Sequence, residues 1–173
     1  MTLSATLKAC GAFERGQFVL ASGQKSSFYI DIKKASCNPQ VLREMARKIA
    51  AAGVEEDLLS GMELGAVPIL AAASLETGVP FLIVRKKSKG HGTDNRIEGV
   101  HRRGQRVLVV EDVTTTGASV VETVRVLREA GLSVDRAIVV VDRDQGATRA
   151  LSDIGVRLEA LVSVRELLSE AEP

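Results

Sequence analysis

The sequence predicts an α/β fold in which a parallel central sheet is flanked by helices. Residues 57–61, 106–110 and 137–141 form short, mostly apolar runs without polar alternation. Continuous apolar strands are typical of a sheet that is buried on both faces, as parallel sheets are. Helix-like stretches separate these runs, and right-handed crossovers would place the helices on both sides of the sheet.

Each element of this core has its own signal in the chain. Apolar residues at helical spacing predict a helix over 119–130, which ends before Gly131. The predicted core elements, in order, are a strand at 57–61, an Ala-rich helix at 66–77, strands at 80–84 and 106–110, the helix at 119–130, a strand at 137–141, a short helix at 148–154, a strand at 157–162 and a helix at 164–170. In such sheets ligands bind at the carboxyl ends of the strands, so we expect the loops after Gly61, Val84, Asp112 and Asp142 to converge on one site.

The first 35 residues follow a different pattern, and we expect them to form a small hood over the core. A helix at 3–11 precedes two short strands, 18–20 and 27–31, which a turn-like stretch joins. Asn38 and Pro39 then predict the start of a helix that runs to about residue 52, because proline is favoured at the first helical position. These elements predict a single domain over residues 1–173, with the hood over about 1–35 and the core over about 36–173.

Composition excludes several classes of protein. The chain has 173 residues, of which 45% are hydrophobic and 26% are charged, and this balance argues against disorder. No window approaches 18 uncharged apolar residues, and the first residues do not read as a signal peptide, so we expect no contact with a membrane. Two cysteines without a metal-binding spacing, Cys10 and Cys37, favour reduced thiols in the cytoplasm.

Positive charge is concentrated in one stretch, residues 85–106, which we call the cationic segment. It contains eight basic and two acidic residues, a net charge of +6, whereas the remainder of the chain carries −5. An acidic body does not favour a nucleic-acid surface, and only five aromatic residues are available to stack on bases. The segment therefore predicts a local site for an anion.

The most informative motif is VLVVEDVTTTGAS, residues 107–119. An apolar strand leads to two acids, Glu111 and Asp112, and then to a loop of small and hydroxyl residues before a helix. Backbone N–H groups of such a loop and the helix N-terminus form a site for phosphate, while the acids suit sugar hydroxyls or a divalent metal. The alternative is an ordinary helix start that is capped by Thr or Ser and preceded by a solvated acid pair.

This motif resembles the site that binds 5-phosphoribosyl 1-diphosphate (PRPP) in the phosphoribosyltransferases. The resemblance implies that the motif residues bind PRPP, namely Glu111, Asp112, Val113, Thr114, Thr115, Thr116, Gly117, Ala118 and Ser119. It also implies the type I phosphoribosyltransferase fold, a parallel sheet flanked by helices with a small N-terminal hood.

Three further stretches are similar to the orotate phosphoribosyltransferase family in its compact archaeal form. They are FVLASGQKSSFYID at 18–31, RKKSKGH at 85–91 and VDRDQG at 141–146, and the resemblance runs from about residue 13 to 146. The first is similar to the family's hood, the second to its mobile catalytic loop and the third to the stretch that contacts orotate.

The resemblance assigns the basic residues. Arg85, Lys86, Lys89 and His91 would contact the diphosphate, and Lys25 would be a further phosphate or substrate contact. In this family the loop's Lys and His reach the neighbouring subunit's site, which implies a homodimer with shared active sites. Residues 85–105 contain almost no apolar side chains, so we also expect this loop to pack poorly and to move. By themselves these residues also fit a solvated surface loop or a nonspecific nucleic-acid patch, and Lys25 fits an ordinary turn lysine.

Two loops bear on the substrate base and on the diphosphate. The resemblance assigns Arg143 and Thr115 to orotate, and Arg143 alternatively forms a salt bridge with Asp142 or Asp144. The loop at 61–68 departs from the family, since Leu64 stands where many bacterial members have a lysine. Glu63, in the same loop, fits either a surface acid or an acid that approaches Mg²⁺ through water.

The implied activity is Mg²⁺-dependent transfer of ribose 5-phosphate from PRPP to orotate, which yields orotidine 5′-monophosphate and diphosphate in pyrimidine (UMP) biosynthesis. The catalytic residues would be Lys89, His91 and Asp112, and Mg²⁺ would be bound mainly through PRPP, without a direct protein ligand. The alternatives are a phosphoribosyltransferase for another base, or a PRPP-binding transcriptional regulator of the same fold, although the first 35 residues show no helix-turn-helix pattern. Cys10, Cys37, Met62 and His101 have no motif and are assigned to packing or surface.

Overall fold

A six-stranded sheet forms the centre of the computed structural model, which describes residues 2–19, 25–86 and 96–169. The strands are β3 (Leu58–Met62), β4 (Phe81–Val84), β5 (Ile97–Glu98), β6 (Arg106–Thr114), β7 (Ser133–Asp142) and β8 (Arg157–Ser163). Their order across the sheet is β5-β4-β3-β6-β7-β8. All neighbouring pairs are parallel except β4 with β5, and the predicted α/β fold is confirmed.

Helices cover both faces of this sheet, which explains the continuous apolar strands. They are α1 (Leu3–Ala9), α2 (Ile32–Ser36), α3 (Pro39–Ala51), α4 (Ala66–Thr77), α5 (Ala118–Glu129), α6 (Ala147–Ser152) and α7 (Val164–Ser169). Successive side chains of a strand point to opposite faces. Leu108 and Val110 of β6 accordingly join one apolar cluster with α1, α3 and α4, whereas Val107 and Val109 join a second cluster with α5.

The helix boundaries follow local chemistry. The Asn38 side chain caps α3 by accepting the backbone N–H groups of Gln40 and Val41, with Pro39 in the first turn, as predicted. Gly78 ends α4 in the left-handed conformation, which glycine adopts without steric cost. Among the described residues, no helix combines the length and the apolar character that a bilayer span requires.

The hood contains a separate antiparallel hairpin, β1 (Phe13–Val19) with β2 (Lys25–Ile30). The first strand begins five residues before the predicted start, because Phe13 pairs with Ile30 and both side chains are buried against the core. The sequence stretch between the two strands, residues 20–24, lies outside the described residues.

The core also differs from the sequence-based expectation in several features. Strand β6 continues four residues past its predicted end, so Glu111 and Asp112 lie within the strand. Helix α2 and strand β5 were not predicted, since each is only a few residues long. The expectation of poor packing over 85–105 is wrong for its described second part, because Ile97 pairs with β4 and is 4% exposed.

Candidate active site

Four loops meet at the carboxyl ends of β3, β4, β6 and β7, as the sheet order predicts. The Glu63 carboxylate accepts the backbone N–H of Lys86 at 3.0 Å, which joins the loops after β3 and β4. The backbone N–H of Arg143 donates to the carbonyl of Thr114 at 3.0 Å, which joins the loops after β6 and β7.

Two glycines allow these loops to approach closely. The Asp112 carboxylate lies against Gly65, where any side chain would collide with it. Gly117 packs against Ala147, and a Cβ atom at position 117 would lie 3.1 Å from the Ala147 Cα. Because these contacts leave no space for side chains, the backbone itself lines this part of the site.

The loop at 113–119 leads into α5 in a form that fits a phosphate. Gly117 precedes the helix with a φ of 86°, and no side chain of the described residues caps this end. The alternative of a Thr or Ser cap is therefore wrong. The N–H groups of the first turn stay available for an external anion, which the helix dipole also favours. Thr115 is half-buried and Thr116, Ala118 and Ser119 are exposed around this end, whereas Thr114 is buried.

The two adjacent acids lie in different environments. Glu111 is 5% exposed, accepts a hydrogen bond from the Ser119 hydroxyl at 2.7 Å, and also accepts the backbone N–H of Asp112 at 3.1 Å. Burial raises the pKa of Glu111 to about 8, against the lowering effect of Ser119, so this carboxyl is mostly protonated at pH 7. Asp112 is half-buried beside Gly65, and its carboxylate accepts the N–H of Val113 at 2.8 Å.

Arg143 lies between the core and the hood. Its guanidinium carbon is 4.9 Å from the centre of the Phe28 ring, which is a cation–π contact. Its Nε is buried without a hydrogen-bond partner, and burial lowers the pKa of the guanidinium. Within the described residues neither neighbouring acid forms an ion pair with it, because Asp144 pairs with Arg165, and Asp142 accepts the backbone N–H of Asp144. The salt-bridge alternative for Arg143 is therefore wrong for the described part of the chain.

The predicted basic residues are only partly brought together. Arg85 pairs with Glu98 at 3.3 Å and is half-buried, while Lys86 is exposed at the end of the described part of this segment. Lys25 is exposed at the start of β2. The two predicted catalytic loop residues, Lys89 and His91, lie outside the described residues.

The donor set for a metal is sparse. Across residues 2–19, 25–86 and 96–169, the side chains gather no group of three or more His, Cys, Asp or Glu residues that suits an ion. Asp112 and Glu63 are oxygen ligands of the kind that Mg²⁺ accepts, and Mg²⁺ commonly takes its remaining ligands from water and substrate phosphates.

Sequence reasoning missed two residues that shape the site. Phe28 supports Arg143, but in the sequence it stands in a run with Tyr29 and Ile30, and no local pattern marks it as a contact of Arg143. Arg96 donates to the carbonyls of Arg85 and Lys86 and to the carboxylate of Glu122. No local pattern marks Arg96, because Glu122 is 26 residues away.

Comparisons with known proteins agree with this geometry. Residues 32–157 match the phosphoribosyl transferase domain model. The chain is 51% identical over 160 residues to an orotate phosphoribosyltransferase of Pyrococcus furiosus, covering 90% of this chain and 88% of that protein. A crystal structure of orotate phosphoribosyltransferase from Aeropyrum pernix is 36% identical, with a TM-score of 0.88 and 96% of each chain covered.

A third relative carries a ligand. The crystal structure of orotate phosphoribosyltransferase from Mycobacterium tuberculosis in complex with PRPP is 30% identical to this chain, with a TM-score of 0.78. The match covers 95% of this chain and 96% of that one. These similarities extend over the hood as well as the sheet.

Proposed function

The chain belongs to the phosphoribosyltransferase family and, within it, to the orotate phosphoribosyltransferases, and from this membership we propose that it converts orotate and PRPP to orotidine 5′-monophosphate and diphosphate. The observation that carries the proposal is a pair of anion sites at one edge of the sheet. One is the start of α5, which no described side chain caps, and the other is the half-buried guanidinium of Arg143, whose buried Nε has no partner among the described residues. Together they fit a phosphorylated sugar and a carboxylated base.

The start of α5 binds the 5′-phosphate of PRPP in this proposal. Backbone N–H groups of a helix N-terminus bind phosphate without a positive side chain. Asp112 then faces the ribose hydroxyls, and Glu111 supports the loop from behind through Ser119. The residues proposed to bind PRPP directly through this loop and strand are Asp112, Val113, Thr114, Thr115, Thr116, Gly117, Ala118 and Ser119, whereas Glu111 contributes through Ser119.

Arg143 binds the orotate carboxylate in this proposal, with Thr115 beside the base. A guanidinium offers a planar fork of donors that matches a carboxylate. Its buried Nε lacks a partner among the described residues, so a bound anion would relieve an unfavourable desolvated charge. Phe28 holds the other face of the guanidinium.

Transfer then needs positioning and charge stabilisation more than covalent chemistry. Orotate N1 gives up its proton to solvent and forms the new bond to C1 of the ribose, the C1–O bond breaks, and its electron pair leaves with the diphosphate. Arg85 and Lys86, with Lys25 from the hood, are the described cations proposed to meet that charge, and Lys89 and His91 are proposed to complete the set. Bound Mg²⁺, held mainly by PRPP oxygens and water beside Asp112, would neutralise part of the diphosphate.

We further propose that the protein is a cytoplasmic homodimer with shared sites. Helix α4 starts at the site and is apolar around much of its circumference, which is unusual for a helix that faces water. Leu64 and Leu75, just before α4 and near its end, are 70% and 88% exposed in the single chain. A second copy of the chain on this face would remove them from water.

The activity is tested by measuring orotidine 5′-monophosphate from orotate, PRPP and Mg²⁺, with adenine and uracil as competing bases. The variant Asp112→Asn should lower kcat/KM for PRPP, whereas Asp135→Asn, at the opposite end of the sheet, should not. Turnover of another base in preference to orotate, or equal kcat/KM for both variants, would reject the assignment. A shift in DNA mobility without turnover would point to the regulator instead.

A further inference from the structure

The Arg96 side chain bonds to residues on the other side of the stretch 87–95, which lies outside the described residues. Its Nε donates to the carbonyl of Arg85 at 3.0 Å, and its Nη2 donates to the same carbonyl at 2.9 Å and to that of Lys86 at 3.3 Å. The backbone N–H of Arg85 donates in turn to the carbonyl of Arg96 at 2.8 Å. The Arg96 side chain therefore joins residues 85 and 86 to the chain that begins again at residue 96.

The same guanidinium is fixed to the helix that starts at the proposed phosphate site. Its Nη1 donates to the carboxylate of Glu122, which lies one turn into α5. The Arg96 side chain is 20% exposed, so solvent competes only weakly for these bonds. Glu122 also accepts from Arg125 of the same helix, whose side chain is 53% exposed, so this second ion pair is open to solvent.

A second contact ties this junction to the loop after β3. The backbone N–H of Lys86 donates to the carboxylate of Glu63. The pairing of β4 with β5 brings residues 85–86 and 96–98 together, and these two hydrogen-bonded side chains connect them to the loop after β3 and to α5.

We propose that Arg96 is a positioning residue for turnover, which holds the two ends of residues 87–95 together and in fixed relation to α5. This role rests on the proposed function, in which Lys89 meets the leaving diphosphate. The planar fork of arginine is required, because it serves two carbonyls and a carboxylate at once, whereas lysine presents a single point charge.

The kinetic test compares two variants of Arg96 with a matched control. Arg96→Met and Arg96→Lys should each lower kcat by about ten- to a hundredfold, the size of loss that displaced catalytic groups produce. Arg125→Met removes the other ion pair of Glu122 but leaves the hydrogen bonds of Arg96 with Arg85 and Lys86 in place. The kcat of this variant should therefore stay within about twofold of wild type. Wild-type kcat in Arg96→Lys, or the same loss in Arg125→Met, would overturn the proposal.

A double-mutant cycle shows whether Arg96 acts through residues 87–95, and in particular through Lys89. If it positions Lys89, then Arg96→Met should cost little in a chain that already carries Lys89→Ala, because the group to be positioned is gone. Independent losses that multiply in the double variant would contradict the proposal.

Hydrogen exchange gives a readout that needs no turnover. In the protein without substrates, the amides of Arg85 and Lys86 should exchange faster in Arg96→Met than in wild type and Arg125→Met, at an unchanged midpoint of global unfolding. Unchanged exchange rates would reject the positioning role of Arg96 even if orotate is the substrate. Faster exchange in a protein that does not convert orotate would reject the proposed function, whereas the structural role of Arg96 would be supported.

Discussion

Glu111 and Asp112 are neighbours in the chain, but they lie in different environments, and burial raises the pKa of Glu111. Glu111 points into the structure toward Ser119, where desolvation outweighs the hydrogen bond that favours its charged form. A strand alternates its side chains between two faces, so two adjacent acids cannot share one environment. Of the two acids, Glu111 is therefore a buried residue that supports the loop through Ser119, and Asp112 is the carboxylate that lies beside the loop at 61–65.

This difference predicts a dependence of stability on pH. The pKa of Glu111 rises from 4.5 to about 8 on folding, so between these values the unfolded chain loses a proton that the folded chain keeps. The stabilisation is therefore fully present below the unfolded pKa and is lost as pH rises toward 8. In urea unfolding without Mg²⁺ or PRPP, the free energy of unfolding should fall from pH 5 to 8 more steeply in wild type than in Glu111→Gln. Glu129→Gln, exposed on α5, is the control and should keep the wild-type slope.

Arg143 also derives its proposed role from its surroundings. Replacing it with alanine removes charge-assisted hydrogen bonds to the orotate carboxylate, which are worth about 1.5–3 kcal/mol. The KM for orotate should therefore rise about 10- to 150-fold, with a much smaller change in the KM for PRPP.

The control for Arg143 is Arg165→Ala, which removes the ion pair with Asp144 on the exposed side of the same loop. Steady-state kinetics of this variant should resemble wild type. Equal increases in both Michaelis constants for Arg143→Ala would indicate a structural role for Arg143 instead.

At the scale of elements, one buried arginine connects α3, β7 and β8 at the end of the sheet opposite the site. Arg136 donates to the carbonyls of Ala52 and Gly53 and to the Glu159 carboxylate at 2.8 Å. These carbonyls end α3, where helices leave their last acceptors without internal partners. Its hydrogen bonds with Glu159 raise the pKa of Arg136 and lower that of Glu159.

Loss of this connection should destabilise the fold without affecting turnover. Arg136→Met removes the hydrogen bonds of a side chain that is buried and charged, and should cost about 1.5–3 kcal/mol in the free energy of unfolding. Arg157→Met removes the other ion pair of Glu159, but its side chain is 70% exposed, so the loss should be below about 1 kcal/mol. Chemical denaturation measures both values. Similar losses in the two variants would show that buried hydrogen bonds are not the source of the effect.

At the scale of the whole molecule, the proposed shared site makes a distinctive prediction for mixed dimers. If residues 87–95 act on the neighbouring subunit, Lys89→Ala and Asp112→Asn place both lesions in one site of a mixed dimer and leave its other site intact. After random exchange at equal amounts, half of the dimers are mixed, so activity should recover to about a quarter of wild type. Without exchange each preparation should stay inactive. Failure to recover after demonstrated subunit exchange would assign the segment to its own subunit.

The sequence was sufficient for most of the fold because its strands are buried on both faces. A run such as residues 137–141 has no polar alternation and cannot be mistaken for a surface strand. It was insufficient where an element depends on distant partners. Ile97 forms a strand only because β4 lies beside it, and β6 extends to Thr114 only because β7 continues alongside it to Asp142.

The sequence by itself determined the chemistry of the candidate site, since the residues at 107–119 and Arg143 are types that bind phosphate, sugar hydroxyls and carboxylates. Only the tertiary structure decided how each of them is used. It turned Glu111 inward to Ser119, left the start of α5 uncapped, and placed Arg143 on Phe28 without an acidic partner among the described residues. The physical reason is that burial, side-chain direction and ion pairing depend on groups far apart in the chain, such as Arg96 and Glu122, whereas the type of each residue is local.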